Sequence, residues 1–174
     1  VNSRILGDIC LKNITVDGVC MKYNQFNKKS FAYYKNNGII EKASSEFFEK
    51  DFTYQNRMPK VTIDMIYGLD IITKLIEDFN EVKKFYTQIG INPPLIISCS
   101  FLNAINYTIP TDGIFSTTLG TLDRDILCIN DLYIEDINDS SENILKPIFD
   151  SIWNACGHEN CQYYDEDGNF KINN

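Results

Sequence analysis

ILKPIFDSIWNACGHENCQYYDEDGNF, residues 144–170, contains the only tryptophan of this 174-residue chain. Its first half places apolar residues at steps of three and four, which is the period of one buried helix face. Upstream, Asp139 and Glu142 have the spacing of a capping box, and Gly157 can end the helix in a left-handed conformation. We therefore predict a C-terminal helix that packs against a sheet. The residues predicted to be buried by this helix are Leu145, Ile148, Phe149, Ile152, Trp153 and Cys156.

A longer helix is predicted from residue 63 to about residue 89. Apolar residues recur there at three- and four-residue steps, and Thr62 is the candidate N-cap. Gly90, followed by Pro93 and Pro94, supplies the stop, because glycine accepts a left-handed cap and proline cannot continue a helix. At 1.5 Å per residue the helix is roughly 38 Å long, which is enough to cover one face of a sheet.

The first forty-odd residues are predicted to form β-hairpins. The dipeptides Asp17-Gly18 and Asn37-Gly38 are two-residue turn signals flanked by residues typical of strands. The predicted strands are 9–16 and 19–23 around the first turn, and 31–34 and 39–43 around the second.

The region between the two helices supplies the remaining strands. Residues 95–102 form a nearly unbroken apolar run, which predicts a central strand buried on both faces, and residues 126–137 contain one or two further strands. We predict an α+β fold: a mostly antiparallel sheet of about five or six strands, packed by the long helix and closed by the C-terminal helix. Residues 1–174 are expected to form a single domain.

Composition limits the functions that are open to the chain. An apolar content of 44% is typical of a globular domain, and no apolar run is long enough to cross a bilayer, so we expect a cytoplasmic protein without a membrane partner. A net charge of -8 disfavours a large nucleic-acid footprint, although a local basic patch stays open. The six cysteines are interpreted as free thiols of a reducing compartment.

Cys156, His158 and Cys161 form a C-x-H-x-x-C set that could supply three zinc ligands. Structural zinc takes four ligands, usually as two spaced pairs, and no second pair follows. We therefore expect no metal at these residues, and we expect no cofactor.

Two acidic groups are candidate sites. The first group flanks predicted strands and consists of Asp123, Asp125, Glu135 and Asp136. If these carboxylates lie close together, they could form the metal-binding active site of a phosphodiesterase. The segment 165–169 resembles a fragment of a calcium loop, but it lacks the length of an EF-hand and is predicted to be a solvated turn.

A third group combines lysines with aromatic residues in the segment from Phe26 to Tyr54. Aromatic rings together with cations are typical of surfaces that bind single-stranded nucleic acid by stacking on its bases. Exposed aromatic residues are also enriched in protein interfaces. Both interpretations stay open, beside simple hairpin packing. The candidate binding residues are Lys28, Lys29, Tyr33, Tyr34 and Lys35.

The order of five sequence segments resembles the C-terminal region of bacterial Schlafen-AlbA type proteins. The segments are YYKNNGIIE, GINPPLIIS, LDRDIL, YIEDI and LKPIFDSIWNACGHENCQYYDEDGNF, and the resemblance covers about residues 31–170. It implies that a nucleic-acid- or ATP-binding domain of a divergent AAA type lies upstream in a larger protein, whose C-terminal accessory domain this chain would be. No functional residue carries over from that family.

The chain contains no G-x-x-x-x-G-K-[ST] loop, no G-x-G-x-x-G turn and no G-x-S-x-G elbow, and it has one histidine. We therefore expect a non-catalytic accessory, interaction or sensing domain. Its partner would be a protein or the upstream domain of its own chain. The alternative is the phosphodiesterase that uses the acidic residues near Asp123 and Glu135.

Overall fold

The computed structural model describes residues 9–25, 28–53, 62–110 and 120–171. These ranges contain ten strands and two helices, which confirms the α+β class. The strands form one sheet of four and three sheets of two, where the sequence led us to expect one sheet of five or six. The elements are β1 Ile9–Thr15, β2 Gly18–Gln25, β3 Lys28–Lys35, β4 Ile40–Ser44, β5 Phe48–Thr53, β6 Thr62–Ile66, α1 Gly68–Ile89, β7 Leu95–Ile97, β8 Ser100–Leu102, β9 Ile126–Cys128, β10 Leu132–Ile134 and α2 Ser141–Ala155.

The chain divides into two compact units, the N-terminal unit Val1–Phe48 and the C-terminal unit Glu49–Asn174. Of the described hydrophobic residues that are buried, only Ala32 belongs to the N-terminal unit. The two units are thus built differently, one as an open sheet and the other around a core. The expectation of a single domain stays a prediction.

The N-terminal unit is an antiparallel meander in the order β1-β2-β3-β4. Both predicted hairpins are confirmed: Thr15 pairs with Gly18 across the first turn, and Tyr34 pairs with Ile40 across the second. Gly18 is required at its position, because its φ is +150° and a β-carbon there would overlap the carbonyl oxygen of Tyr34.

The C-terminal unit contains α1, which begins later than the sequence suggested. Thr62 lies at the start of β6 and not at a helix N-terminus, so the predicted N-cap is wrong. The helix begins at Gly68 after Tyr67, which makes no side-chain cap. The stop at Gly90 is confirmed, since its φ of 74° is left-handed and its N–H donates to the carbonyl of Thr87.

Residues 95–102 and 126–134 form one antiparallel ribbon, hereafter the ribbon. Ser100 pairs with Cys128, and Ile97 pairs with Leu132. Between these two pairs, residues 98–99 of one strand lie opposite residues 129–131 of the other, which is one residue more. Such an extra residue is a β-bulge. Exposure alternates strictly along 95–102, which shows that the prediction of a strand buried on both faces is wrong.

The C-terminal helix packs as expected around its tryptophan. Ser140 is the N-cap of α2, and its Oγ accepts from the N–H of Asn143 at 3.1 Å. Trp153 is fully buried, close to the place where a β-carbon on Gly68 would lie, and makes an edge contact with Tyr163 at a ring distance of 5.9 Å. No helix in the described ranges is long and apolar enough to span a membrane.

Candidate functional site

The four-stranded sheet separates the lysines and tyrosines that the sequence grouped together. Side chains alternate between the two faces of a strand, so Lys29, Tyr33 and Lys35 lie on one face of β3, and Lys28 and Tyr34 lie on the other. We call these the Tyr33 face and the Tyr34 face. The five candidates therefore do not form one surface.

One row of the Tyr33 face crosses all four strands. The register places Leu11 of β1 opposite Lys22 of β2, Lys22 opposite Phe31 of β3, and Phe31 opposite Ala43 of β4. All four residues are exposed, Leu11 at 51% and Phe31 at 38%. We call this set the sheet row. It combines two large apolar side chains with a lysine between them.

The next row of the same face is held by contacts within the sheet. The Tyr33 hydroxyl and the Thr15 hydroxyl form a hydrogen bond of 2.8 Å, and the Lys35 ammonium lies 5.5 Å from the centroid of the Tyr33 ring. Lys35 also forms an ion pair with Glu41. Tyr33 and Lys35 are therefore oriented by their neighbours, and they border the sheet row on one side.

The Tyr34 face is less exposed around its centre. Ala32 is buried and Tyr34 is half-buried, while Lys28 donates a hydrogen bond to the carbonyl of Glu46 at 2.8 Å. Two large side chains stay exposed there, Ile14 at 80% and Tyr23 at 39%.

The predicted surface from Phe26 to Tyr54 is only partly described. Phe26 and Tyr54 lie outside the described residues, and the boundary between the two compact units falls after Phe48. The predicted segment is therefore not contained in one unit. Leu11 and Lys22 of the sheet row precede this segment, so sequence reasoning missed them; the register of the first hairpin was the signal that could have found them.

The two units carry opposite net charges. The N-terminal unit has seven basic and four acidic residues, a net charge of +3, and the C-terminal unit has nine basic and twenty acidic residues, a net charge of -11. The total of -8 is therefore the sum of a basic N-terminal unit and a strongly acidic C-terminal unit. The local basic patch that the sequence left open would lie in the N-terminal unit, and the effect of the total charge on nucleic-acid binding stays a prediction.

The structure places the four candidate carboxylates at the two ends of the ribbon. Asp123 and Asp125 precede β9, and Glu135 and Asp136 follow β10. The four therefore do not converge, and Arg124 forms an ion pair with the adjacent Asp123 at 2.7 Å. Across the described residues, no three His, Cys, Asp or Glu side chains are arranged to hold a metal ion.

The two cysteines of the C-x-H-x-x-C set are buried in the core, and the histidine between them is half-buried. Cys156 and Cys161 are each 1% exposed, and burial raises the pKa of both thiols to about 11. A buried thiol with a raised pKa is a poor nucleophile and a poor metal ligand at neutral pH. The N–H of His158 donates to the carbonyl of Trp153, while its Nε2 is buried without a described hydrogen-bond partner.

In the acidic turn near the C-terminus, the carboxylate of Asp165 is bound by neighbouring residues of the same turn. Asp165 accepts a 2.7 Å hydrogen bond from the N–H of Asn169 and forms an ion pair with Lys171 at 3.0 Å. These contacts, led by the Asn169 N–H, lower the pKa of Asp165 to about 2. Tyr164 and Phe170 pair across the turn, with ring centroids 5.3 Å apart. The geometry is that of a closed turn.

A cleft of about 320 Å³, which sequence reasoning missed, lies beside β6. Asp51 and Asp64 line it, and the N–H of Asp51 donates to the carboxylate of Asp64 at 3.0 Å. Burial, together with these two carboxylates and Glu49, raises the pKa of Tyr107. The remaining lining residues are Thr62, Ile63, Asn106, Thr108 and Thr121.

Comparisons with protein-family models, with curated proteins and with solved structures find no match for this chain.

Proposed function

We propose that this protein is a non-catalytic interaction domain and that the sheet row of Leu11, Lys22, Phe31 and Ala43 is its binding surface. The observation that carries the proposal is the register, which aligns these four exposed residues across the whole sheet. An aromatic side chain with exposed aliphatic neighbours is typical of the centre of a protein interface.

The charges on and around the sheet row support a proposal for the chemistry of the partner. Lys22 lies between Leu11 and Phe31, and Lys29 and Lys35 flank Phe31 along β3. Because the N-terminal unit carries a net charge of +3, we propose a partner that combines apolar side chains with carboxylates. An acidic protein surface fits better than nucleic acid, since a platform for bases uses several stacked aromatics and this row contains one.

The resemblance noted in the sequence supports a context for this domain. We propose that it acts as the accessory part of a larger bacterial regulator of the Schlafen-AlbA type, with its partner being another protein or an upstream domain of the same chain. This context rests on the resemblance alone.

The test is a titration of the purified chain into a labelled twelve-residue peptide of alternating glutamate and valine, followed by fluorescence anisotropy. The double variant Lys22→Ala/Phe31→Ala should weaken binding by about tenfold or more, because central aromatic anchors dominate interface energies. The matched control is Lys12→Ala/Ile14→Ala, which removes one lysine and one exposed aliphatic from the Tyr34 face and should leave binding within about twofold.

Labelled single-stranded RNA, single-stranded DNA and duplex DNA, each with and without Mn²⁺, form the second arm. Tighter binding of a nucleic acid than of the peptide would make the protein a nucleic-acid sensor. Cleavage that requires Mn²⁺ and disappears in Asp123→Asn would establish the phosphodiesterase. Failure of the peptide to bind at low salt would remove the sheet row as a docking surface for acidic proteins.

A further inference from the structure

The outer face of the ribbon exposes large apolar side chains in matched cross-strand pairs. Ile96 lies directly opposite Tyr133, and Leu102 lies directly opposite Ile126. Their exposures are 62% for Ile96 and Leu102, 57% for Tyr133 and 56% for Ile126. Residues directly opposite on antiparallel strands have β-carbons about 5 Å apart, so each pair forms one apolar contact area rather than two scattered residues.

The opposite face of the ribbon packs on the core, so the outer face is the exposed one among the residues that the structure describes. Phe101, Leu127, Ile129 and Ile134 are all buried within the core of the C-terminal unit. The outer face does not need apolar residues for folding. An antiparallel strand that packs on the core with one face usually carries polar residues on the face that meets solvent. Ser98 and Ser100 occupy such positions between the two apolar pairs.

The ribbon is also strongly acidic. Residues 123–136 contain five carboxylates, Asp123, Asp125, Asp131, Glu135 and Asp136, with one cation, and the facing segment 95–102 contains no charged residue. Within the described residues, Arg124 is the only cation that forms an ion pair with these carboxylates. Asp131 and Asp136 accept hydrogen bonds from neutral donors, which leaves their charges uncompensated.

Four of the five carboxylates lie at the ends of the ribbon, and Asp131 lies at the bulge between the two apolar pairs, where it accepts a 2.6 Å hydrogen bond from the Ser98 hydroxyl. Asp125 directly precedes Ile126 at one end, and Glu135 directly follows Ile134 at the other. Leu102 and Ile96 are six residues apart, about 20 Å along an extended strand. The face thus has an apolar contact area near each end and an acidic rim beyond each contact area.

We propose that the outer face of the ribbon is a docking surface for a basic protein segment, one that presents aliphatic or aromatic side chains flanked by lysine or arginine. The rim would attract and align the cations, and the two pairs Ile96–Tyr133 and Leu102–Ile126 would bury the apolar side chains. This surface is independent of the sheet row, which belongs to the other unit and selects the opposite charge.

The test is selection of random sixteen-residue peptides displayed on phage against the immobilised full chain. One family of enriched peptides should contain apolar residues with lysine or arginine on both sides. A synthetic peptide of the most enriched sequence in this family should bind Leu102→Thr/Ile126→Thr more weakly by about tenfold or more. Threonine keeps the strand preference at these exposed positions, and circular dichroism checks that the fold is retained.

Two further variants separate the charge from the apolar contact. Asp125→Asn/Glu135→Gln should lower the association rate and weaken the dependence of binding on salt, since rim charges act mainly on encounter. The control Lys22→Ala/Phe31→Ala, which alters only the sheet row, should leave the affinity for the basic peptide within about twofold.

Three results would overturn the proposal. The first is enrichment of acidic peptides alone, or of none. The second is a basic peptide whose affinity is the same for Leu102→Thr/Ile126→Thr as for the unaltered chain. The third is a dimer in sedimentation experiments that this variant dissociates, because the face would then be covered by a second copy of the chain.

Discussion

The N-terminal and C-terminal units differ in charge and in how they are held together. The first is a four-stranded sheet with a net charge of +3, in which Ala32 is the only described hydrophobic residue that is buried. The second has a net charge of -11 and contains every other buried hydrophobic residue of the described ranges, Trp153 and Phe149 among them. The net charge and the hydrophobic content of the whole chain conceal this difference between the units. The difference predicts that substitutions in the C-terminal core affect stability, whereas substitutions on the exposed sheet affect binding.

The largest effect is expected from Trp153→Ala in the C-terminal unit. Trp153 is fully buried against the start of α1 and against Tyr163, so its removal leaves a large cavity. We expect the free energy of unfolding to fall by about 3–5 kcal/mol, measured by urea denaturation. Tyr133→Ala is the matched control, because Tyr133 is 57% exposed, and its effect should be below about 1 kcal/mol. An unchanged midpoint for Trp153→Ala would contradict the core described here.

A smaller loss is expected from Gly120→Ala, also in the C-terminal unit. A β-carbon at Gly120 would overlap the carbonyl oxygen of Cys156, so the backbone at the end of α2 must shift. The expected cost is about 2–3 kcal/mol in urea denaturation. Gly90→Ala is the control: its φ is 74° but no atom lies within 4 Å, so only the conformational cost of about 1 kcal/mol remains. Equal effects of the two variants would argue against the close approach of Gly120 to α2.

In the N-terminal unit, Phe31→Ala is expected to have only a small effect on the free energy of unfolding. The ring is 38% exposed on the sheet row, and its removal opens no closed cavity. We expect the free energy of unfolding to fall by less than about 1 kcal/mol in urea denaturation, together with weaker binding of the acidic peptide. A loss as large as that of Trp153→Ala would show that Phe31 belongs to a core, which would erase the contrast between the units.

The smallest effect concerns the pH dependence of the turn at Asp165. Its folded pKa of about 2 lies below the ordinary value of about 3.9, so the carboxylate stabilises the turn above pH 4 and loses this contribution as pH falls through 2. An NMR titration of the Asp165 carboxyl carbon should have its midpoint near pH 2, and Lys171→Ala should raise it. A midpoint near 4 in the unaltered chain would contradict the hydrogen bonds of Asp165 to Asn169 and Lys171.

Much of the fold could be predicted where a local signal is strong. Asp17-Gly18 and Asn37-Gly38 specify tight turns because glycine tolerates positive φ, and both hairpins form. Gly90 ends α1 for the same reason. The prediction of an N-cap at Thr62 is wrong because the segment TIDMI suits either a helix start or a short strand. Its pairing with β5, a tertiary contact, decides between them.

The burial of the ribbon strand 95–102 could not be predicted from its local sequence. An apolar run such as LIISCSFL predicts burial on both faces, and nothing local distinguishes it from a strand whose exposed face is also apolar. Ile96 and Leu102 are therefore the residues at which the prediction and the structure differ most. Local sequence that contradicts the fold's own needs is typical of functional surfaces, and the same residues carry the proposed docking face.

The candidate sites were less predictable than the fold, because they depend on register and not on spacing. Lys28 and Tyr34 lie on the opposite face of β3 from Tyr33, and Leu11 and Lys22 enter the sheet row only through pairing between strands. Asp123 and Glu135 appear near each other in sequence, yet the extended ribbon separates them.

The most direct test of two docking surfaces with opposite charge is one phage selection run in parallel on three proteins: the unaltered chain, Lys22→Ala/Phe31→Ala and Leu102→Thr/Ile126→Thr. We predict two peptide families on the unaltered chain, an acidic-apolar family that disappears only with the first variant and a basic-apolar family that disappears only with the second. A single family, or two families that respond to the same variant, would contradict the assignment of one surface to each unit.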